Sequence, residues 1–339
     1  MKTEILNSKE PSAIERAADL IRAGALVAFP TETVYGLGGN ALLPDAAQRI
    51  YAAKGRPQDN PLIIHLARPE DAEQYCHTCP AFYQLAKAFM PGPLTVVLPK
   101  KDCIPDSVTG GLSTVAVRIP AHSVANALIA KAGVPIAAPS ANLSGKPSPT
   151  RAAHVIADLD GKIDAILTGD DCEIGVESTI VMIGEDETVS LLRPGAITYE
   201  MLSCVREREI KIDPAILQKS EARPLAPGMQ YRHYAPHMPV TVIDASDADF
   251  YAYVNARPDC GVLCFEQDLP YVHAKRIFSL GNAQDSLEQA RRLFDCLRAC
   301  DACEDITHVY ARMPKKEQIG LAVWNRLAKA AGFDLLELS

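Results

Sequence analysis

Short apolar runs, each bordered by a polar segment that carries Gly or Pro, set what this chain can fold into. Four such segments stand out: Phe29-Pro-Thr-Glu-Thr-Val-Tyr-Gly-Leu37, Lys54-Gly-Arg-Pro-Gln-Asp-Asn-Pro61, Val117-Arg-Ile-Pro120 and Ala138-Pro-Ser-Ala-Asn-Leu-Ser-Gly145. Apolar runs of this length, bounded by breakers, read as buried strands. The polar segments are then loops at strand ends. Together they offer fixed cations, hydroxyls and one amide, without an obvious nucleophile and base. Such a set binds and orients an anionic substrate, and phosphate chemistry asks little more of a protein.

Between these loops the spacing predicts helices over 11–24, 45–53, 81–89 and 124–132. It predicts strands over 25–29, 61–66, 94–98, 114–119, 136–138, 165–167, 178–183 and 189–192. Residues 1–205 therefore read as one α/β domain built on a mixed sheet. Both patterns fade over 206–238, and the stretch from Arg223 to Pro239 holds four prolines and a glycine. That is a linker composition, yet Tyr231, Arg232, His233 and Tyr234 stand in a row, which a passive spacer does not need. From 239 to 339 the pattern restarts. Strands over 240–244, 261–265, 275–278 and 306–311 alternate with helices over 248–255, 285–303 and 320–331, as in a small Rossmann-like α/β domain.

The 339 residues are 48% hydrophobic and 22% charged, enough for two cores. No apolar run approaches the ~20 residues of a membrane span. The mixed-charge N-terminus lacks a signal-peptide core, so a cytoplasmic address is expected. The net charge of −8 disfavours non-specific polyanion binding and makes Lys54, Arg56, Arg118 and Arg193 more telling. Ten cysteines are expected as free thiols. Cys76 and Cys79 form a lone C-x-x-C, without a second pair to make a zinc site. Cys296, Cys300 and Cys303 could space an iron–sulfur cluster. They also lie with Leu293 and Leu297 on one helix face, and Cys packs as a small hydrophobe.

Generic nucleotide motifs are missing. Ser140 to Pro147 only approaches a P-loop, and Gly36-Leu-Gly38-Gly39 is not a dinucleotide fingerprint. Each candidate has a bland reading beside the functional one. Lys54 and Arg56 around Gly55 capture phosphate or form a solvated pair. Asn60 reads a base or turns the chain. Thr31 and Thr33 bind ligand or cap the next element. His65, inside an apolar strand, fits a satisfied core histidine. Arg118 at a strand end needs an anionic partner. Ser140, Asn142, Ser144 and Ser148 bind or make turns, and whether Glu32 meets Glu177 is open.

Taken together, the ordered segments resemble the YrdC-like family of threonylcarbamoyl-AMP synthases. The matching pieces are Pro30 to Leu37, Lys54-Gly-Arg-Pro57 with Asn60-Pro-Leu62, Val117-Arg-Ile-Pro120, Pro139-Ser-Ala-Asn142 with Ser144-Gly145, Gly175-Val-Glu-Ser-Thr179 and Leu192-Arg-Pro-Gly195. Lys54/Arg56 followed by Ser140/Asn142 is the family's K-x-R…S-x-N signature. Pro227 to Pro236 and Gly320 to Leu327 resemble the long, two-domain form.

The resemblance implies an ATP-dependent nucleotidyltransferase. L-threonine and bicarbonate give N-carboxythreonine, whose carboxylate attacks the α-phosphate of ATP, with Mg²⁺ accompanying the nucleotide and no metal ligand assigned to the protein. Threonylcarbamoyl-AMP then feeds the machinery that modifies an adenosine of certain tRNAs. By the same resemblance Lys54 and Arg56 are catalytic and neutralise the phosphates and the carbamate. Asn60, Thr114, Ser140, Asn142, Ser148 and Arg193 contact ATP, and Tyr231 and Tyr234 fold the linker over the site. Thr33, His65, Arg118, the backbone near Ala138 and Ser178 hold threonine. Two other readings stand beside it. One is carbamoyl transfer of the hydrogenase-maturation type, whose proteins carry a zinc finger that this cysteine spacing does not supply. The other is a double-stranded RNA or tRNA-binding module, against which the net charge argues.

Overall fold

The computed structural model describes residues 2–206, 209–218, 225–227 and 234–338. The first part of the chain forms β1 (Glu4–Asn7), α1 (Pro11–Arg22), β2 (Val27–Phe29), β3 (Gly36–Asn40), α2 (Pro44–Lys54), β4 (Ile63–His65), α3 (Pro80–Phe89), β5 (Leu94–Pro99) and α4 (Asp106–Thr109). It continues through β6 (Thr114–Arg118), α5 (Ser123–Ala132), β7 (Ile136–Ala138), α6 (Ala152–Leu159), β8 (Ala165–Thr168), β9 (Thr179–Ile183), β10 (Val189–Arg193), α7 (Tyr199–Arg206) and β11 (Lys211–Ile212). These strands make an eleven-stranded mixed sheet in the order β1-β8-β2-β3-β7-β4-β6-β5-β9-β10-β11.

Local chemistry explains the elements. Proline opens α1 and α2 at the first turn, where its missing N–H costs nothing. Ala13, Ala17, Ala18 and Ile21 give α1 one buried face. Gly55 ends α2 in the left-handed conformation, at φ 61°. Strand β3 was not expected, because Gly-Leu-Gly-Gly lacks strand-forming side chains. Its glycines are needed for packing: a Cβ on Gly38 would lie 2.7 Å from the Ile136 side chain and 2.8 Å from the Phe29 ring. The linker is also less featureless than its composition suggests, since β11 pairs in parallel with β10.

The second part forms β12 (Val240–Asp244), α8 (Asp247–Asn255), β13 (Gly261–Cys264), β14 (Arg276–Ser279), α9 (Ser286–Asp301), β15 (Val309–Arg312), α10 (Gly320–Ala330) and β16 (Leu335–Glu337). Its sheet, β14-β13-β15-β12-β16, is parallel throughout, as βαβ connections require. Asp285 caps α9 by accepting from the backbone N–H groups of Leu287 and Glu288. Leu293, Leu297 and Cys300 lie on its buried face. Cys300 therefore belongs to the core, and no group of three or more metal-ligating side chains occurs among the described residues. Nor is any described helix long and apolar enough to cross a membrane.

The two parts share a core. Val34 and Val176 of the first pack with Tyr234, Leu293, Phe294 and Leu327 in one buried cluster. The interface is thus a continuation of the second domain's interior.

Candidate functional site

Strand register builds the floor of the site. His65 on β4 lies opposite Arg118 on β6, and Arg118 lies opposite Thr95 on β5. Laterally paired residues present their side chains on one face of the sheet. On the same strands Ile63 pairs with Ala138 of β7. The row is closed by the Thr95 hydroxyl, 2.8 Å from that of Ser178 just before β9. Ile63, His65, Arg118, Ala138 and Ser178, with Thr31, Val34, Gly36 and the chain at 139–140, surround a small cavity of about 40 Å³.

Arg56, Arg118 and Arg193 line this cavity and are buried. Arg56 donates to the carbonyl of Pro61 at 3.2 Å and weakly to that of Asn60 at 3.4 Å. Burial lowers its pKa to about 10, so it remains a cation at neutral pH. Arg193 spans two segments: its Nε and one NH group reach the Ser178 carbonyl and hydroxyl at 3.0 and 3.1 Å, and the other reaches the Pro227 carbonyl at 2.9 Å. Burial, and then the nearby charge of Arg326, brings it to about 10 as well. Arg118 has the anionic partner its burial demands, Glu32 at 2.8 Å. Burial pulls Glu32 upward, but the charge and hydrogen bonding of Arg118 outweigh it and leave the carboxyl below its ordinary range.

Glu177 is the acid in the wall. Its Oε1 accepts from the Ser148 hydroxyl at 2.6 Å, and its Oε2 accepts from Arg326 Nε at 2.9 Å. Burial opposes its ionisation. The charges of Arg326 and Arg193, with the Ser148 hydrogen bond, win and bring it to about 2.

Of the side chains singled out in the sequence, Arg56, His65, Arg118, Ala138, Ser140, Ser178, Arg193 and Tyr234 meet at the cavity. Lys54, Thr33, Asn60, Thr114, Asn142 and Ser148 do not line it. Lys54 is fully buried behind the 140–146 loop. Its Nζ donates to the carbonyl of Ser140 at 2.5 Å and to that of Asn142, and burial pushes its pKa well below that of an ordinary amine. Asn142 braces the same loop, donating to the carbonyls of Leu143 and Lys146 at 2.8 Å. Thr33 Oγ1 lies 2.9 Å from Thr31 Oγ1. The Asn60 carbonyl accepts from Tyr51, Thr114 opens β6, and Ser148 serves Glu177. Lys54, Asn142 and Ser148 thus brace the wall from behind. Tyr231 lies outside the described residues.

Sequence reasoning missed Thr95, the role of Glu177, and Arg326. Arg326 carried a signal: it stands in the middle of an apolar helix, where a charge needs a buried partner.

Comparison with known proteins agrees with this architecture. Residues 19–195 match the family model Sua5_yciO_yrdC, described as telomere recombination. Residues 197–332 match a second, described as threonylcarbamoyl-AMP synthase, C-terminal domain. The threonylcarbamoyl-AMP synthase of Pyrococcus abyssi is 46% identical over 334 residues, covering 96% of each chain. That of Bacillus subtilis is 44% identical over 336 residues, covering 97% of this chain and 96% of its own. The crystal structure of P. abyssi Sua5 complexed with L-threonine superposes with a TM-score of 0.92 at 44% identity, covering 100% of both chains.

Proposed function

The chain belongs to the threonylcarbamoyl-AMP synthase family in its long, two-domain form, and we propose that it condenses L-threonine, bicarbonate and ATP to threonylcarbamoyl-AMP and pyrophosphate. The observation that carries this reading is the convergence of Arg56, Arg118 and Arg193 on one buried cavity of an acidic protein. The reaction brings an anionic carbamate to an anionic triphosphate, so its barrier is largely repulsion and orientation. Buried guanidinium groups lower both without reorganising during the step.

The threonine amine and bicarbonate form the carbamate with loss of water. One carbamate oxygen then bonds to the α-phosphorus as the bond to pyrophosphate breaks. Arg56 and Arg193, charged at neutral pH, offset the negative charge of the reacting groups. Arg118 faces the threonine carboxylate, which shares or takes over the guanidinium now held by Glu32. The neutral His65, the Ser178 hydroxyl and the backbone at Ala138 complete the amino-acid side.

Magnesium is proposed to arrive with ATP. Among the described residues there is no metal-ligand cluster, and Glu32 and Glu177 are both engaged by arginines. Their oxygens do not fit the role of a protein-built cage for a hard cation, whereas phosphates and water do.

A cavity of about 40 Å³ has room for a few waters. Pro227 and Tyr234 from the linker line one side of it, so the linker bears on substrate entry. The product, an activated acyl adenylate, suits consumption by an enzyme that transfers the threonylcarbamoyl group to a tRNA adenosine.

The test is incubation of the purified chain with ATP, Mg²⁺ and bicarbonate, with and without L-threonine, while following pyrophosphate and the adenylate. Release should depend on both threonine and bicarbonate. Arg56→Ala should lower it at least about a hundredfold, as loss of a preorganised charge does. ATP turnover indifferent to threonine would refute the reading.

A further inference from the structure

Helix α10 belongs to the C-terminal domain, yet one of its side chains reaches the cavity wall of the other domain. Arg326 is fully buried. Its Nε donates to Glu177 Oε2 at 2.9 Å, and its NH1 donates to the carbonyl of Pro194 at 2.8 Å and to Asn325 Oδ1 at 3.2 Å. The other oxygen of Glu177 takes the Ser148 hydroxyl at 2.6 Å. The Tyr234 phenol lies close enough to Glu177 for burial and then the Glu177 charge to hold it above its ordinary range. Tyr234 is itself buried, with its ring centroid 5.2 Å from that of Phe294 on α9. One carboxylate thus joins three parts of the chain: the loop before α6, the linker residue beside β12, and helix α10.

Stability alone is a poor reason for this arrangement. A buried ion pair seldom outperforms apolar packing of the same shape, because both charges must be desolvated. The pair also spans two domains and ends in the wall that holds Arg56, Ser178 and Arg193. We propose that Arg326 is a positioning residue for the synthase reaction: it holds the Glu177 carboxylate, which in turn fixes Ser148 and Tyr234 around the cavity. The C-terminal domain thereby completes the site without touching substrate. This inference rests on the synthase reading above.

The test is the rate of threonylcarbamoyl-AMP formation by the full chain and by Arg326→Gln, Arg326→Lys, Glu177→Gln and the double variant Arg326→Gln/Glu177→Gln. Arg326→Gln leaves a buried carboxylate without its nearest cation and should lower kcat at least about tenfold. Arg326→Lys keeps the charge but not the fork, and should recover part of the loss. It also guards against a Gln variant that fails to fold. A Gln at 177 has no charge to balance, so the double variant should be no slower than Glu177→Gln alone.

The pH profile separates positioning from bulk structure. In Arg326→Gln, Glu177 still faces Arg193, Ser148, Tyr234 and the more distant Lys329, while burial pushes its pKa up. Lys329 is itself brought to about 7 by burial and the Arg326 charge, so Lys329→Met is made in both chains. The ratio of Arg326→Gln to parent rate should then rise with pH between about pH 5 and pH 8, and the ratio cancels any titration of the substrates. Wild-type turnover with Arg326→Gln within about twofold of it, losses that multiply in the double variant, or a ratio independent of pH would each overturn the proposal. A wild-type chain that makes no threonylcarbamoyl-AMP would overturn the synthase reading and this role with it.

Discussion

His65 shows what a single side chain can and cannot disclose. In the sequence it stands inside an apolar strand, which points to a buried, satisfied ring. The structure places it there: its Nδ1 is 3.4 Å from the Ile136 carbonyl, and Phe29 lies edge-on at 6.1 Å. Its neighbour across the sheet, Arg118, could be seen to need an anion, but the partner Glu32 was not legible, because nothing local in sequence ties the two loops together. Burial first, and the Arg118 charge second, lower the His65 pKa to about 3. The unfolded chain takes up a proton near pH 6.5 and the folded chain does not. Below that pH the unfolded state binds more protons, so stability falls as pH falls toward 3. Each such histidine contributes at most about 1.4 kcal/mol per pH unit in that window. His122, His154 and His308 are shifted in the same direction. Urea unfolding between about pH 6 and pH 5 should therefore show a positive slope of stability with pH, smaller by up to about 1.4 kcal/mol per unit in His65→Gln. An unchanged slope would mean that His65 accepts a proton in the fold.

At the scale of elements, the short apolar strands and amphipathic helices were legible because their periodicity is local. The glycine strand β3 was not, since its reason for existing is the Phe29 ring and Ile136 side chain on neighbouring strands. Lys54 has a second role that the sequence does not disclose. The sequence shows a lysine and an arginine around a glycine, suited to a phosphate. The structure shows α2 ending with a lysine that ties down the 140–146 loop through two backbone carbonyls. Lysine is favoured at a helix C-terminus, and here its amine also satisfies buried acceptors contributed by another segment. Lys54→Met would leave those carbonyls without donors, at a cost of about 1–3 kcal/mol in stability. It should also release Ser140 from the cavity wall and lower kcat/KM at least about tenfold. Lys54→Arg should not restore either, because a planar fork cannot place one nitrogen between both carbonyls in the space of an ammonium. Denaturant midpoints and product formation measured on the same preparations check both halves. A Met variant with normal turnover would leave the loop anchored by other contacts.

For the whole molecule, composition marked where the domain pattern breaks, near residue 239, but not that the domains would share a core and a site. Val34 and Val176 read as ordinary residues of motif loops, and only the fold brings them against α9 and α10. Gly175 marks how close that approach is. It has φ +82°, and a Cβ built on it would lie 2.4 Å from the Cα of Arg291 and 2.6 Å from the carbonyl oxygen of Ala290, both backbone atoms of α9. Backbone cannot yield as a side-chain tip can, so Gly175→Ala must either move the loop that carries Glu177 or push the domains apart. Gly133 supplies the comparison, with φ +65° and nothing within 4 Å of a built Cβ. Gly133→Ala should cost only the strain of a left-handed alanine, about 1 kcal/mol, and leave synthesis intact. Gly175→Ala carries the same strain plus the interdomain clash, and should cost at least about 2 kcal/mol more. It should also reduce threonylcarbamoyl-AMP formation, because its loop leads directly into Glu177 and Ser178. Equal losses of stability in the two variants, with equal activity, would show that the domains can separate at position 175 without disturbing the site, and would place catalysis in the first domain alone.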